Sequence, residues 1–226
     1  MRFAFALIAL VPAIAAAAAA AAAQDHAACH GIYCPQTKAA DYAAEFGPYV
    51  AADKTWEQVK GRNVLVLKYY DRTGALASVK TYPQTRYMEP AKTPSDGIAF
   101  AGQGTPTIAL YGLSPCKKPG NFDFKGQTFT CDTLWQDRLE TSLYATQAVI
   151  CRAYTDQIDK PVQDATCLRA DEGFGTKTRG GAVIDDNLVG LGVAVIDKDA
   201  SGKPLRPELV TLAARGARTF DAITAP

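Results

Sequence analysis

Six cysteines constrain this chain more than any other feature, because Cys29, Cys34, Cys116, Cys131, Cys151 and Cys167 all follow an N-terminal segment that reads as an export signal. Arg2 precedes an apolar run from Phe3 to Ile14, broken only by Pro12, and an unbroken alanine tract then ends at Ala23. A basic start, an apolar stretch and an Ala-x-Ala site before Gln24 predict a signal peptide over residues 1–23 and a periplasmic or secreted product. Retention as a membrane anchor is the weaker reading. Alanine is a poor membrane residue, and no later segment offers the roughly 20 apolar residues of a span. In an oxidising compartment an even number of cysteines reads as disulfides, although composition alone does not pair them.

Cleavage removes Arg2, which brings the 24 basic residues to 23 against 23 acidic ones, so the mature chain is formally neutral. A nucleic-acid binder ordinarily carries a basic excess, since neutralising phosphates supplies most of its non-specific affinity; charge gives a nucleic-acid partner no support. Both histidines, His26 and His30, lie just behind the cleavage site. The rest of the chain therefore has none for a Ser-His-Asp triad or a multi-histidine zinc centre. With 48% hydrophobic residues the chain has material for one core or two.

Along the chain, Val64–Leu67 and Ala75–Tyr82 flank Asp71-Arg-Thr-Gly74, a hairpin signal with glycine where positive φ is needed. Pro83, Pro90 and Pro94 mark a loop. Ile98–Phe100 and Thr107–Leu113 read as short strands around a Gly102–Pro106 turn, and a further strand precedes Cys131. Thr133 and Gln136 have the spacing of a capping box, and Trp135, Leu139 and Leu143 then form one helical stripe. Ala148–Ala153 and Val162–Leu168 look like paired strands that bring Cys151 within bridging distance of Cys167. Asp185–Gly190 reads as a short helix, Leu191–Ile196 as a strand, and Pro207 opens a last helix with Leu209, Leu212 and Ala213 on its apolar side. The expected fold class is α+β, mainly β: a five-stranded OB-type barrel with two or three packed helices over residues 95–226, preceded by a hairpin-containing region over 24–94.

Three segments carry a family resemblance that covers about residues 95–220. Ile108-Ala-Leu-Tyr-Gly-Leu-Ser-Pro115, Asp156–Val162 and Asp186-Asn-Leu-Val-Gly-Leu-Gly-Val-Ala194 resemble motifs of the thermonuclease (SNase-like) family, a calcium-dependent nuclease fold on an OB barrel. The resemblance implies pairs Cys116–Cys131 and Cys151–Cys167, leaving Cys29 with Cys34. It also implies in-line attack of water on a phosphodiester, with carboxylates holding a hard cation, a glutamate acting on the water and two arginines clamping the phosphate. This chain departs from that pattern at nearly every position. Ala109 stands at the first arginine, Cys116 at the glutamate and Lys160 at the second arginine; a metal-binding aspartate is either deleted or replaced by Ser114, while Asp96 is the one remnant carboxylate. Lysine keeps the charge but not the bidentate fork. The implied function is an exported thermonuclease-like module that has lost phosphodiesterase activity and binds a ligand the sequence does not identify, or has a structural role. The alternatives are an active calcium-dependent nuclease with relocated groups, or a metal-binding protein.

Two candidate metal sites stand outside the resemblance. Asp197, Asp199, Ser201 and Glu208 have calcium-loop spacing, with Gly202 at the turn, but no helix enters the loop and Pro204 interrupts it. Cleavage after Ala23 puts His26 third from the new amino terminus, a pattern suited to copper or nickel; His26, Cys29, His30 and Cys34 also have the look of a zinc knuckle, which an oxidising compartment disfavours. Tyr69, Tyr70, Tyr82 and Tyr87 read either as a stacking platform or, more ordinarily, as hairpin core. Asp132, Asp137 and Glu140 read as a solvated helix face.

Overall fold

The computed structural model describes residues 31–33, 64–124, 126–144, 146, 148–170 and 182–224. The leader, His26, His30 and the Cys29–Cys34 pair lie outside these residues.

The hairpin forms as its turn chemistry dictates, from β1 (Val64–Tyr70) and β2 (Leu76–Tyr82). Asp71 Oδ1 accepts from the Thr73 amide at 2.8 Å and the Ala75 amide at 3.0 Å, while Gly74 takes φ +87°. Next come β3 (Glu89–Ala91), β4 (Ala99–Ala101), β5 (Thr107–Leu110) and β6 (Leu113–Pro115). The single strand expected before Cys131 is instead a small hairpin, β7 (Phe122–Phe124) and β8 (Gln127–Phe129), because Gly126 turns the chain at φ +78°. Helix α1 (Cys131–Tyr144) buries Leu134, Trp135, Leu139 and Leu143. Its capping box lies one turn earlier than predicted. The Thr133 amide donates to Thr130 Oγ1 at 3.2 Å and the Thr130 amide to Thr133 Oγ1 at 2.9 Å, so Thr133 plays the role expected of Gln136.

Strand β9 (Ala148–Tyr154) is followed by β10 (Val162–Ala170), β11 (Ala182–Val183), α2 (Ile184–Gly190), β12 (Ala194–Ile196) and α3 (Val210–Ile223). Pro207 opens a 3₁₀ turn that leads into α3. The main sheet has eight strands in the order β2-β1-β9-β10-β5-β4-β3, with β11 also on β10. β1 runs parallel to β9, and β10 runs parallel to β5 through its first four residues and antiparallel to β9 through its last five. The class is therefore α+β and mainly strand, as expected. No pairing among the described residues joins β2 to β3, so the sheet is open there, and the five-stranded closure of an OB barrel is not among its ladders.

Beside a small cluster of Ile32, Tyr33 and Tyr70, one large core runs through the described residues. Leu65, Leu67 and Tyr69 of the hairpin share it with Trp135 and Leu139 of α1, Ile184 and Leu188 of α2 and Phe220 of α3. The hairpin assigned from sequence to the N-terminal region thus packs into the same body as the residues after 95. Val64, Val66, Lys68 and Tyr70, on the opposite face of β1, are buried as well, which is why this strand reads as a near-continuous apolar run, interrupted only by Lys68, rather than an alternation. Among the described residues no helix is long and apolar enough to cross a membrane.

Two disulfides lock the body, Cys151–Cys167 across a directly opposed β9–β10 pair and Cys116–Cys131 between the end of β6 and the start of α1. Their presence fits an exported protein. Non-reducing peptide mapping is expected to recover both pairs uncrossed. Gly216 of α3 lies against the α2 carboxyl end, where a Cβ would sit 2.0 Å from the Val189 carbonyl oxygen. Backbone cannot yield as a side chain does, so Gly216→Ala is expected to destabilise by about 3 kcal/mol or more in a denaturant melt, at or above the upper end of the usual range for overpacking.

Candidate functional site

The densest charge cluster of the described residues centres on Arg206, a residue the sequence alone does not single out. Its delivery depends on the Asp197–Glu208 loop. Asp199 Oδ1 accepts from the Ser201 amide at 2.8 Å and the Lys203 amide at 2.9 Å, and a bridge between Lys198 and Pro204 closes the loop. These hydrogen bonds, that of the Ser201 hydroxyl first, hold the Asp199 carboxyl below the usual range. The chain then passes beneath the β5–β6 turn. Gly112 permits that approach, with φ +67° and a hypothetical Cβ only 2.9 Å from Leu205 Cβ.

Arg206 and Asp185 are 1% and 0% exposed at their side chains, and the guanidinium donates from Nη1 to Asp185 Oδ2 at 2.6 Å. Nε donates to Glu208 Oε1 at 2.5 Å, and Nη1 also reaches the Tyr111 carbonyl at 3.2 Å. Burial alone would lower the Arg206 pKa, but the charges and hydrogen bonds of Asp185 and Glu208 together outweigh it and keep the guanidinium protonated. Burial raises the Asp185 pKa, with Arg206 opposing. Asp186 is pushed up to about 6, first by burial and then by the neighbouring Asp185 charge. One cation thus faces three carboxyls, and neutrality favours a proton on an aspartate. Chemically the cluster can hold and release a proton near neutral pH, but Arg206 is already neutralised and is not available as a phosphate clamp.

The cluster continues into an aromatic group through Tyr111. The Tyr33 ring stacks on Tyr111 at 4.0 Å and meets Tyr154 edge-on at 5.3 Å. Tyr70 joins them from β1. Arg72 sits 4.1 Å over the Tyr154 ring and pairs with Asp156 at 3.0 Å.

The residues expected from sequence fall elsewhere. Lys160 is half-exposed, 3.9 Å from Asp156, at the turn that enters β10 beside Thr107. Asp96 is in a turn at φ +54°, before β4 and next to the residue that approaches the Leu113 carbonyl. The two flank opposite ends of β5, roughly 15–20 Å apart at about 3.3 Å per residue. Ala109 is buried within the sheet, and Cys116 is committed to its disulfide. Ser114 donates to Asp197 Oδ1 at 2.6 Å. The three carboxylates of the calcium-spaced loop have separate partners: Asp197 takes Ser114, Asp199 its own loop and Glu208 Arg206. No three His, Cys, Asp or Glu side chains of the described residues lie together as a metal site. The tyrosines are not a platform either. Tyr69 is wholly buried and donates to Gln163 Oε1 at 2.9 Å, Tyr70 faces the other side of the sheet, Tyr82 packs on the core and Tyr87 lies against Tyr144.

Sequence reasoning missed Arg206, Asp185, Tyr33, Tyr111 and Tyr154. The adjacent Asp185 and Asp186 gave a signal of a kind, since acidic residues suit a helix start, but nothing in their spacing pointed to Arg206. Removing Arg206 leaves Asp185 buried without its cation, so Arg206→Ala is expected to cost about 3–5 kcal/mol. For Asp186 the folded pKa lies above the unfolded value, so its contribution to stability is full below about pH 4 and is lost as pH rises through 6. Asp186→Asn is therefore expected to raise the melting temperature at pH 8 and to flatten its fall with pH between about 4 and 6, tested by thermal melts from pH 4 to 8. No protein-family model matches this chain, and no curated protein or solved structure matches it significantly.

Proposed function

We propose that this chain is an exported, disulfide-locked binding or structural module of thermonuclease-like ancestry that lacks phosphodiesterase chemistry. The observation that carries the reading is the dispersal of the groups the reaction needs. The position of the water-activating glutamate is Cys116, bonded to Cys131, and the remnant Asp96 and Lys160 lie beyond opposite ends of β5. Phosphoryl chemistry rests on preorganised charge at the reacting phosphate, and removing a single such group ordinarily costs on the order of 100-fold to 1000-fold in rate. Here several are missing, and the buried guanidinium of Arg206 is matched by Asp185 and Glu208 rather than left free for an anion. An OB-like ancestry accounts for short strands around end-packed helices, with the hairpin β1–β2 added to the sheet edge.

The test uses mature protein with single-stranded and duplex DNA and RNA, in calcium and in chelator. Products at the background rate in both conditions are expected. Calcium-dependent cleavage abolished by Asp96→Ala or Lys160→Ala would overturn the reading in favour of an active nuclease.

A further inference from the structure

We propose that the cleft formed by Tyr70, Tyr111 and Tyr154 is a docking site for a tyrosine-bearing peptide segment, occupied in this chain by its own Gly31–Tyr33 turn. The inference goes beyond the loss of phosphodiesterase activity and stands whether or not the chain cleaves nucleic acid.

The occupant states what the cleft recognises. Gly31–Tyr33 is a single 3₁₀ turn, yet Ile32 and Tyr33 are 4% and 7% exposed, sealed among Tyr70, Tyr111 and Tyr154. The ring stacks on Tyr111, with 12° between planes, and meets Tyr154 edge-on at 88°, the second a favoured arrangement of aromatic pairs. The polar contacts suit a peptide backbone. Thr166 Oγ1 donates to the Tyr33 carbonyl at 3.1 Å, and the Ile32 amide donates to the Tyr154 hydroxyl at 3.4 Å. The Tyr33 hydroxyl donates to the Asp164 carbonyl at 3.4 Å, a partner that alanine cannot reach.

None of these contacts requires the occupant to belong to this chain. A ring, one amide and one carbonyl of a short segment make all of them, and their partners sit on β9, β10, β1 and the β5–β6 turn, more than a hundred residues away for the hydrogen bonds. Two of the three polar contacts are at the long end of hydrogen-bond geometry, so they orient the segment while ring burial holds it. That is the balance of an exchangeable ligand rather than of a strand in a ladder. Thirty residues separate Tyr33 from Val64. An occupant in the same chain competes with a free one without the cost of association, so the turn acts as a built-in competitor for the cleft.

The test is titration calorimetry of the full mature chain with the capped peptide acetyl-Gly-Ile-Tyr-amide, and with acetyl-Gly-Ile-Ala-amide as its control. Tyr33→Ala is expected to bind the tyrosine peptide at least tenfold more tightly than the wild type, and Tyr33→Ala with Tyr111→Ala to lose that gain. Tyr33→Leu gives the same comparison where Tyr33→Ala does not melt cooperatively. A folded Tyr33 variant that does not bind the peptide, that binds the alanine control equally, or that is indifferent to Tyr111→Ala would overturn the proposal and show the turn to be a structural brace alone.

Discussion

Strand β10 uses its hydrogen-bonding capacity twice, and the rest of the body is arranged around that division. Its first four residues pair with β5 and its last five with β9, so a single continuous strand joins the β3–β5 ladder to the β1–β2–β9 ladder. Every buried amide and carbonyl needs a partner. Fixing β10 in both registers therefore sets where β5 and β9 lie and, through β9, where the parallel β1 lies. The Cys151–Cys167 bond holds the antiparallel half at one opposed pair, and Tyr69 of β1 reaches across to Gln163 in the other half. Asp164 and Thr166, on either side of the division, are the β10 residues that touch Tyr33.

The same geometry explains why a charged group can be buried so deeply. β5 runs into Gly112, the loop from Asp197 passes beneath it, and Arg206 arrives between Tyr111 and α2 with no route to water. Burying a guanidinium is costly unless its charge and its donors are met. Asp185 and Glu208 meet the charge, and with the Tyr111 carbonyl they take the Nε and Nη1 donors, while Nη2 is buried without a hydrogen-bond partner. The excess of carboxyls over cations is then relieved by Asp186, whose proton affinity is raised by burial first and by the neighbouring Asp185 charge second. Such a network favours one docking of α2 and the Asp197 loop over alternatives that would leave Asp185 unpaired. Stability and specificity of packing are thus linked to a group that does no visible chemistry, and the residues with carboxylate spacing suggestive of calcium are distributed among other tasks.

Much of the local structure was legible in the residues. The Asp71–Gly74 turn, the Trp135–Leu139–Leu143 stripe, the β9–β10 pair and the Pro207 start all follow from short-range rules, because each is decided by neighbours within one or two turns of chain. Finer boundaries slipped where two local solutions competed. Thr130 and Thr133 cap each other with short side chains and so displaced the Thr133–Gln136 box, and Gly126 folded an expected strand into a hairpin. The near-continuous apolar run of β1, interrupted only by Lys68, left its parallel partner undetermined, since burial on both faces removes the alternation that would reveal register.

What the sequence determined by itself was therefore a chain of mixed α and β elements, with cysteines 151 and 167 facing each other across neighbouring strands. It also determined which side chains are available, with alanine at 109, cysteine at 116 and lysine at 160, because residue identity is a matter of composition and not of fold. Only the tertiary structure decided that Asp96 and Lys160 lie apart, that Arg206 joins Asp185, and that Tyr33 closes the aromatic cleft. Each of these pairs residues from distant parts of the chain, and the energies that bring them together are those of burial and charge neutralisation in a shared interior. Such energies depend on which elements become neighbours, and no local pattern of residues records that.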